Sequence, residues 1–220
     1  MDTLMILTDR DDVIMKKHVI FDMDGTLTAT AQATSPAIKA LAGKYGLPEI
    51  TDAHIRAAMG LGGLEFHAKL FPDLPEKTLV DIADDVDALE AENITKIGRD
   101  ILFPEVREML ASLAEKGHPL FIASTGSERH VGNTLKAAGI TDLFTGIHCG
   151  EPQKIDMVKR IIDGGDPRNF VMVGDMFKDA EAAKGNAVTA LGAGWGYLDH
   201  NEKGLFDAVL RSPEEIFFYL

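Results

Sequence analysis

Three loops in this chain bring together residue types that could do phosphate chemistry. Asp22-Met23-Asp24-Gly25-Thr26 sets two carboxylates two residues apart, directly after the apolar run His18–Phe21. Held close and partly buried, such a pair raises its own pKa values unless a cation offsets the repulsion. Gly25 lets the chain turn against a ligand. Ser124-Thr125-Gly126 ends a second apolar run and offers hydroxyls and backbone N–H groups at the start of a helix, which suits an anion. Gly174-Asp175 and Lys178-Asp179 follow a third run, Phe170–Val173. Gathered at one edge, Asp22, Asp24, Asp175 and Asp179 form an oxygen-ligand set for Mg²⁺. Lys154, between the second and third loops, adds a point charge for phosphate. Each piece alone is ordinary, since an Asp-Gly pair is usually a turn and a lone lysine usually solvated. The ordered set carries the reading.

The elements around these loops must bring them together. His18–Phe21 reads as a buried strand. From there to about residue 100 the pattern is helical. Ser35-Pro36 is a candidate cap and first turn, Gly46 a stop, Thr51 a second cap, Leu64–Leu70 a short helix, and Leu79, Ile82, Ala83, Val86 and Leu89 the face of a longer one. After residue 100, strands at Pro119–Ser124, Phe144–His148, Phe170–Val173 and Ala187–Leu191 alternate with helices. A last helix opens at Ser212-Pro213. This rhythm predicts an α/β fold, a parallel sheet covered on both faces, with strand-end loops along one edge. The expected organisation is an N-terminal extension over 1–17, a core over 18–29 and 100–220, and a helical insert over 30–99. An edge strand at Leu4–Leu7 fits the start of the chain almost as well.

The composition excludes several roles. Lys plus Arg number 22 against 35 Asp plus Glu, a formal net charge of -13, which argues against a nonspecific nucleic-acid binder. The single cysteine, Cys149, excludes an intrachain disulfide framework and is expected to pack as a small hydrophobe. No apolar run approaches the roughly 20 residues that span a bilayer. The start MDTLMILTDRDD lacks a signal-peptide pattern. A soluble, cytoplasmic protein acting on a small phosphorylated metabolite is expected, with no nucleic-acid or membrane partner. Oligomeric state is not readable.

Over residues 18–220 the chain resembles the haloacid-dehalogenase-like hydrolases. Residues 22–26 match that family's DxDGT motif, Ser124 its strand-end Ser or Thr, Lys154 its lysine, and Gly174 to Asp179 its GDxxxD motif. The resemblance implies a Rossmann-like core closed by a mobile type-one helical cap, hinged near residues 27–34 and 95–103. It implies that Asp22 is a nucleophile forming an aspartyl-phosphate, and that Asp24 is the general acid and then the base for water. It also implies that Asp22, the Asp24 carbonyl and Asp175 hold Mg²⁺, with Asp179 beside them. Ser124 would bind a phosphoryl oxygen and Lys154 would neutralise charge. Thr125 stands where an Asn is frequent, and with Gly126 it is a candidate substrate contact.

The second carboxylate, Asp24, sets the chain apart from the family's true dehalogenases. Gly174-Asp175, in place of Glu-Asp, favours a phosphatase over a sugar phosphomutase, which stays open as the alternative beside a catalytically silent binding protein. The Gly194-Trp195-Gly196-Tyr197 segment is similar to that of phosphoglycolate-phosphatase-like members, so 2-phosphoglycolate is the named candidate substrate. On the insert, Arg56 is the candidate clamp for a substrate carboxylate or second phosphate. His54, His67, Lys44 and Lys69 are lesser candidates, and Gly60, Gly62 and Gly63 form either a substrate-facing loop or a turn.

Overall fold

The computed structural model describes residues 16–220. Apart from Lys16 and Lys17, the expected extension lies outside the described residues, including the alternative strand Leu4–Leu7. Six parallel strands form one sheet in the order β3-β2-β1-β4-β5-β6. They are β1 (His18–Phe21), β2 (Leu120–Ser124), β3 (Gly146–Cys149), β4 (Phe170–Gly174), β5 (Thr189–Ala193) and β6 (Ala208–Leu210). In β1, Val19 and Phe21 face one apolar layer with Ile122, Leu110 and Val131, while Ile20 faces the other with Met157, Met172 and Ala183. A strand buried on both faces must be apolar throughout, and that is why HVIF reads as a continuous run.

Between β1 and β2 run four helices, α1 (Ala31–Lys44), α2 (Asp52–Ala58), α3 (Leu64–Leu70) and α4 (Glu76–Ile97). They share an apolar cluster of their own, including Ile38, Leu41, Ile55, Leu70, Leu79, Ile82 and Val86. The two chain crossings are tied together: Ala29 N–H donates to the Ile101 carbonyl at 2.7 Å, and Phe103 N–H to that of Leu27 at 3.0 Å. Helix α5 (Val106–Glu115), which precedes β2, and helices α6 (Glu128–Ala138), α7 (Lys154–Ile162) and α8 (Phe177–Gly185), which follow it, cover the sheet.

Several boundaries differ from expectation. Helix α1 begins at Ala31, so Ser35 and Pro36 sit in its second turn. Pro36 is exposed and forfeits only the bond to the carbonyl of exposed Gln32. Strand β3 starts at Gly146 instead of Phe144, after a 3-10 turn at Thr141–Leu143. Strand β5 starts at Thr189, because Ala187 adopts φ 56° and Val188 N–H still caps α8 through the Ala183 carbonyl. The closing helix is a 3-10 segment, Pro213–Tyr219. Cys149 is half-buried at the end of β3 and packs against the main apolar layer.

Candidate active site

Strand β1 lies between β2 and β4, so the strand order reverses at β1 while all strands stay parallel, and the ends of these three strands adjoin. Ligands bind at such a switch point in open α/β sheets. Asp22 follows β1, its N–H donating to the Val173 carbonyl of β4 at 2.9 Å. Ser124 ends β2, and Asp175 follows Gly174 at the end of β4. Gly25 has φ 90°, and a Cβ there would collide with the Asp175 carboxylate. The glycine therefore serves both the turn and the close approach.

Asp22, Asp175 and Asp179 are all buried, with ligand atoms within 4.8 Å of one another. Lys154 Nζ donates to Asp22 Oδ1 and to Asp179 Oδ1, both at 2.6 Å. The second Asp179 oxygen accepts from the Asp175 and Met176 N–H groups at 3.1 and 3.0 Å. Asp179 therefore orients Lys154 and the loop. Thr26 Oγ1 donates to Asp175 Oδ1 at 2.6 Å, while Asp175 Oδ2 is buried with no partner among the described residues. An orphaned carboxylate oxygen beside a second buried carboxylate fits a cation. Burial pushes Asp22 up to about 7 despite the opposing pull of Lys154, with Asp179 adding to the rise. Burial, then the charges of Asp22 and Asp179, drive Asp175 well above the carboxylate range. Burial works against the Lys154 charge, but the two carboxylates outweigh it and keep the ammonium protonated.

Asp24 stands apart from this cluster. Its Oδ1 accepts from Thr30 Oγ1 at 2.7 Å, and both its oxygens lie 3.0 Å from His130 Nε2. The other ring nitrogen, Nδ1, is 3.0 Å from Glu90 Oε2, and Thr34 Oγ1 donates to Glu90 Oε1. Burial alone would raise the Asp24 pKa, but the His130 charge and its hydrogen bond hold it below the usual range. Burial would likewise lower the His130 pKa, yet the charges of Asp24 and Glu90 lift it well above the ordinary imidazole value.

A cavity of about 320 Å³ opens from Asp22, Asp24 and Ser124 toward the insert, bounded by Met59 to Leu64, Phe66, His67 and the α4 face. Thr125 and Gly126 line it, and Thr125 Oγ1 donates to the Gly60 carbonyl at 3.3 Å. A Cβ on Gly62 would lie 2.9 Å from the Thr125 carbonyl oxygen, so this glycine permits the insert to touch the Ser124 loop.

The family described as haloacid dehalogenase-like hydrolase matches residues 19–193. The chain belongs to the haloacid dehalogenase-like hydrolase family. Within it the protein is a phosphoric monoester hydrolase of the phosphoglycolate-phosphatase-like branch. It is 29% identical to a phosphoglycolate phosphatase of Agrobacterium fabrum, over 82% of this chain and 81% of that protein. It is 26% identical to an N-acetylmuramic acid 6-phosphate phosphatase of Pseudomonas putida, over 91% of this chain and 94% of that one. A solved structure described as a predicted phosphoglycolate phosphatase from Haemophilus somnus shares the fold with a TM-score of 0.84 at 22% identity, covering 94% and 98% of the two chains.

In this hydrolase two of the expected site side chains lie away from the acidic cluster and the cavity wall, respectively. The Asp24 carboxylate does not join the acidic cluster, because Thr30 and His130 hold it. Arg56 is exposed on α2 and does not line the cavity; no lysine or arginine is among the described residues that do. His54 is exposed, whereas His67 lines the cavity, buried. Lys44 pairs with Asp85 on the surface. His130, Glu90, Thr26 and Thr30 were not foreseen. Glu90 left one signal: it continues the Leu79, Ile82, Val86 face, where a carboxylate needs a partner. Among the described residues no helix is long and apolar enough to cross a membrane.

Proposed function

We propose that the protein is a Mg²⁺-dependent phosphatase that hydrolyses small phosphate monoesters through an aspartyl-phosphate on Asp22, in the cytoplasm. One observation carries the reading: a buried carboxylate at the central strand end, bonded to a buried lysine and next to the partnerless Asp175 oxygen. Asp22, Asp175 and the backbone carbonyl of Asp24 would hold the metal, which when bound supplies positive charge at the phosphoryl oxygens. Lys154 lowers the repulsion between the Asp22 carboxylate and a phosphate dianion. Ser124 Oγ, which now accepts from Gly126 N–H at 3.1 Å, is placed to donate its own proton to a phosphoryl oxygen. As Asp22 attacks phosphorus, the P–O bond to the alcohol breaks and Asp24 protonates the departing oxygen. A bound dianion raises the Asp24 pKa and so loads it for that step. Asp24 then takes a proton from the water that attacks the phosphoenzyme, and phosphate leaves. Residues 30–99 act as a cap that excludes water during the transfer.

The names of the relatives put 2-phosphoglycolate first among candidate esters. His67 and His130 are the basic side chains of the cavity lining, so recognition of its carboxylate falls to His67 and to backbone N–H groups of residues 60–63. The test is phosphate release from about twenty natural monoesters with Mg²⁺ and with a chelator. Metal-dependent release led by 2-phosphoglycolate supports the whole reading. Release led by sugar phosphates or nucleotides keeps the mechanism and removes that substrate. No release from any ester overturns the phosphatase.

A further inference from the structure

We propose that His130 is a positioning residue that makes the readiness of Asp24 depend on cap closure, by bridging Asp24 in the core to Glu90 in the cap. The inference rests on Asp24 being the acid and base of phosphoryl transfer.

The connection is a single buried chain of four side chains. Thr34 on α1 holds Glu90 on α4, Glu90 meets His130 Nδ1, and His130 Nε2 meets both oxygens of Asp24. Glu90 belongs mechanically to the cap. Helices α1 and α4 pack on one another, and besides the Thr34 bond, Asn93 Nδ2 donates to the Ala33 carbonyl at 3.0 Å. His130 belongs to the core, in the first turn of α6, where Ser127 Oγ accepts its N–H at 3.2 Å. Other links cross from core to cap: Arg129 to Asp87 at 2.9 Å, Lys178 to Glu65 at 3.4 Å, and Thr125 to Gly60. Of these crossings, the one through His130 reaches the acid–base carboxylate, which Thr30, in the hinge segment before α1, also holds.

An imidazole bonded at both nitrogens has no free rotation about its Cβ–Cγ axis. With Glu90 in place, turning the ring would break two hydrogen bonds in a buried setting, where an unmade bond to a charged group is expensive. A cap that swings away on its hinges takes Glu90 with it. Nδ1 is then left to water, the ring can turn, and Asp24 keeps only the Thr30 bond. The acid–base carboxylate is therefore held in one orientation when the cap is closed and released when it opens. Proton transfer to and from the substrate is confined to the state from which bulk water is excluded.

The test compares His130→Gln, Glu90→Gln and the double variant with the wild type, all as the full chain with Mg²⁺. One substrate is p-nitrophenyl phosphate, whose leaving group needs no proton. The other is the alkyl phosphate that the wild type hydrolyses best. The ratio kcat/KM reports binding and the first transfer alone, so slow hydrolysis of the phosphoenzyme does not mask the comparison. For His130→Gln, kcat/KM on the alkyl ester is expected to fall about 100-fold, and on the aryl ester by no more than about threefold, as loss of a general acid requires. Glu90→Gln should show the same ester preference with a drop of about tenfold. Because the two act as one unit, the double variant should be no slower than His130→Gln alone.

Equal losses on the two esters, or losses that multiply in the double variant, overturn the inference and leave the phosphatase standing. If His130→Gln melts below the assay temperature, Glu90→Gln decides alone, by showing or lacking the ester preference. A wild type that releases phosphate from neither ester overturns the phosphatase reading itself, and the inference with it.

Discussion

Lys154 Nζ lies 2.6 Å from Asp22 Oδ1, and both side chains are about 95% withdrawn from solvent. The same ammonium meets Asp179 at 2.6 Å, so one buried cation serves two buried carboxylates. Such an arrangement is poor evidence for stability, because desolvation offsets much of the attraction. It is strong evidence for a site where charge must be ready before a dianionic substrate arrives.

Removing that cation while keeping its bulk should be severe. Lys154→Met leaves Asp22 and Asp179 as uncompensated buried acids, which by analogy with broken buried pairs costs about 3–5 kcal/mol. Urea denaturation should show the midpoint falling accordingly, and phosphate release should be lost. A variant that is inactive at wild-type stability would mean that solvent reaches these carboxylates.

The acidic cluster predicts an unusual pH dependence for the metal-free protein. Asp22 is raised from 3.8 to about 7 by burial, and Asp175 is raised by burial and its acidic neighbours. The native state therefore binds more protons than the unfolded state across that window. By linkage, this contribution to stability is complete below about pH 4 and is lost as pH climbs toward 7. A divalent cation binds the ionised form and should restore it. Thermal melts with a chelator and with excess Mg²⁺ should differ little near pH 5 and most near pH 8. A metal-induced rise in Tm that is largest at low pH would contradict the assignment of the cluster.

Asp22→Asn and Asp24→Asn should fail differently. The first removes the nucleophile and should abolish turnover on every ester while the fold persists. The second should lower kcat/KM on alkyl esters by roughly 100-fold or more, the worth of a general acid, and far less on p-nitrophenyl phosphate. Its kcat should fall on both, because the phosphoenzyme must still be hydrolysed. Steady-state kinetics on one ester of each kind separates the two roles.

How much was legible in the sequence follows from where the physics is local. β1, β2 and β4 are short apolar runs ending abruptly in polar loops, so both the strands and the site residues Asp22, Ser124 and Asp175 could be read together. Lys154 at the first position of α7 was legible only as a member of the ordered set, since alone it reads as a solvated lysine. The edge strand β6 is three residues, Ala208–Leu210, too short to stand out from its surroundings. Ser35-Pro36 carries a genuine helix-start signal, but Thr30 begins α1 a turn earlier and spends its hydroxyl on Asp24. The His130 contacts depend on the meeting of three segments, 106 and 40 residues apart in the chain from His130. No local pattern encodes such a meeting.

Cap closure itself can be probed at Gly62. Its Cα faces the Thr125 carbonyl so closely that an added methyl would stand 2.9 Å from that oxygen. Gly62→Ala should therefore oppose the closed state by an overpacking term of about 1–3 kcal/mol, without disturbing the sheet. We expect kcat/KM to fall about tenfold with Tm nearly unchanged. An equal loss of Tm would place the strain in the folded core and not in the closing contact.

Tyr197 offers a test of the hinge. Its hydroxyl accepts the N–H of Ala31, the first residue of α1, at 3.1 Å, and its ring packs edge-on against Phe103 on the other crossing, 5.6 Å between centroids. Two residues earlier, Trp195 Nε1 donates to the Thr26 carbonyl at 2.9 Å, so this loop braces the Asp22–Thr26 turn as well as the crossing. The first N–H groups of a helix have no partner within it, and Tyr197 supplies one. Tyr197→Phe keeps the ring contact and removes only the acceptor, which should cost about 1 kcal/mol of stability. Burial pushes the Tyr197 hydroxyl up to about 12, so it stays protonated throughout an ordinary assay. The pH–rate profile of Tyr197→Phe should accordingly keep the wild-type shape while kcat falls modestly. A changed profile would mean that Tyr197 exchanges protons with the substrate and is more than a brace.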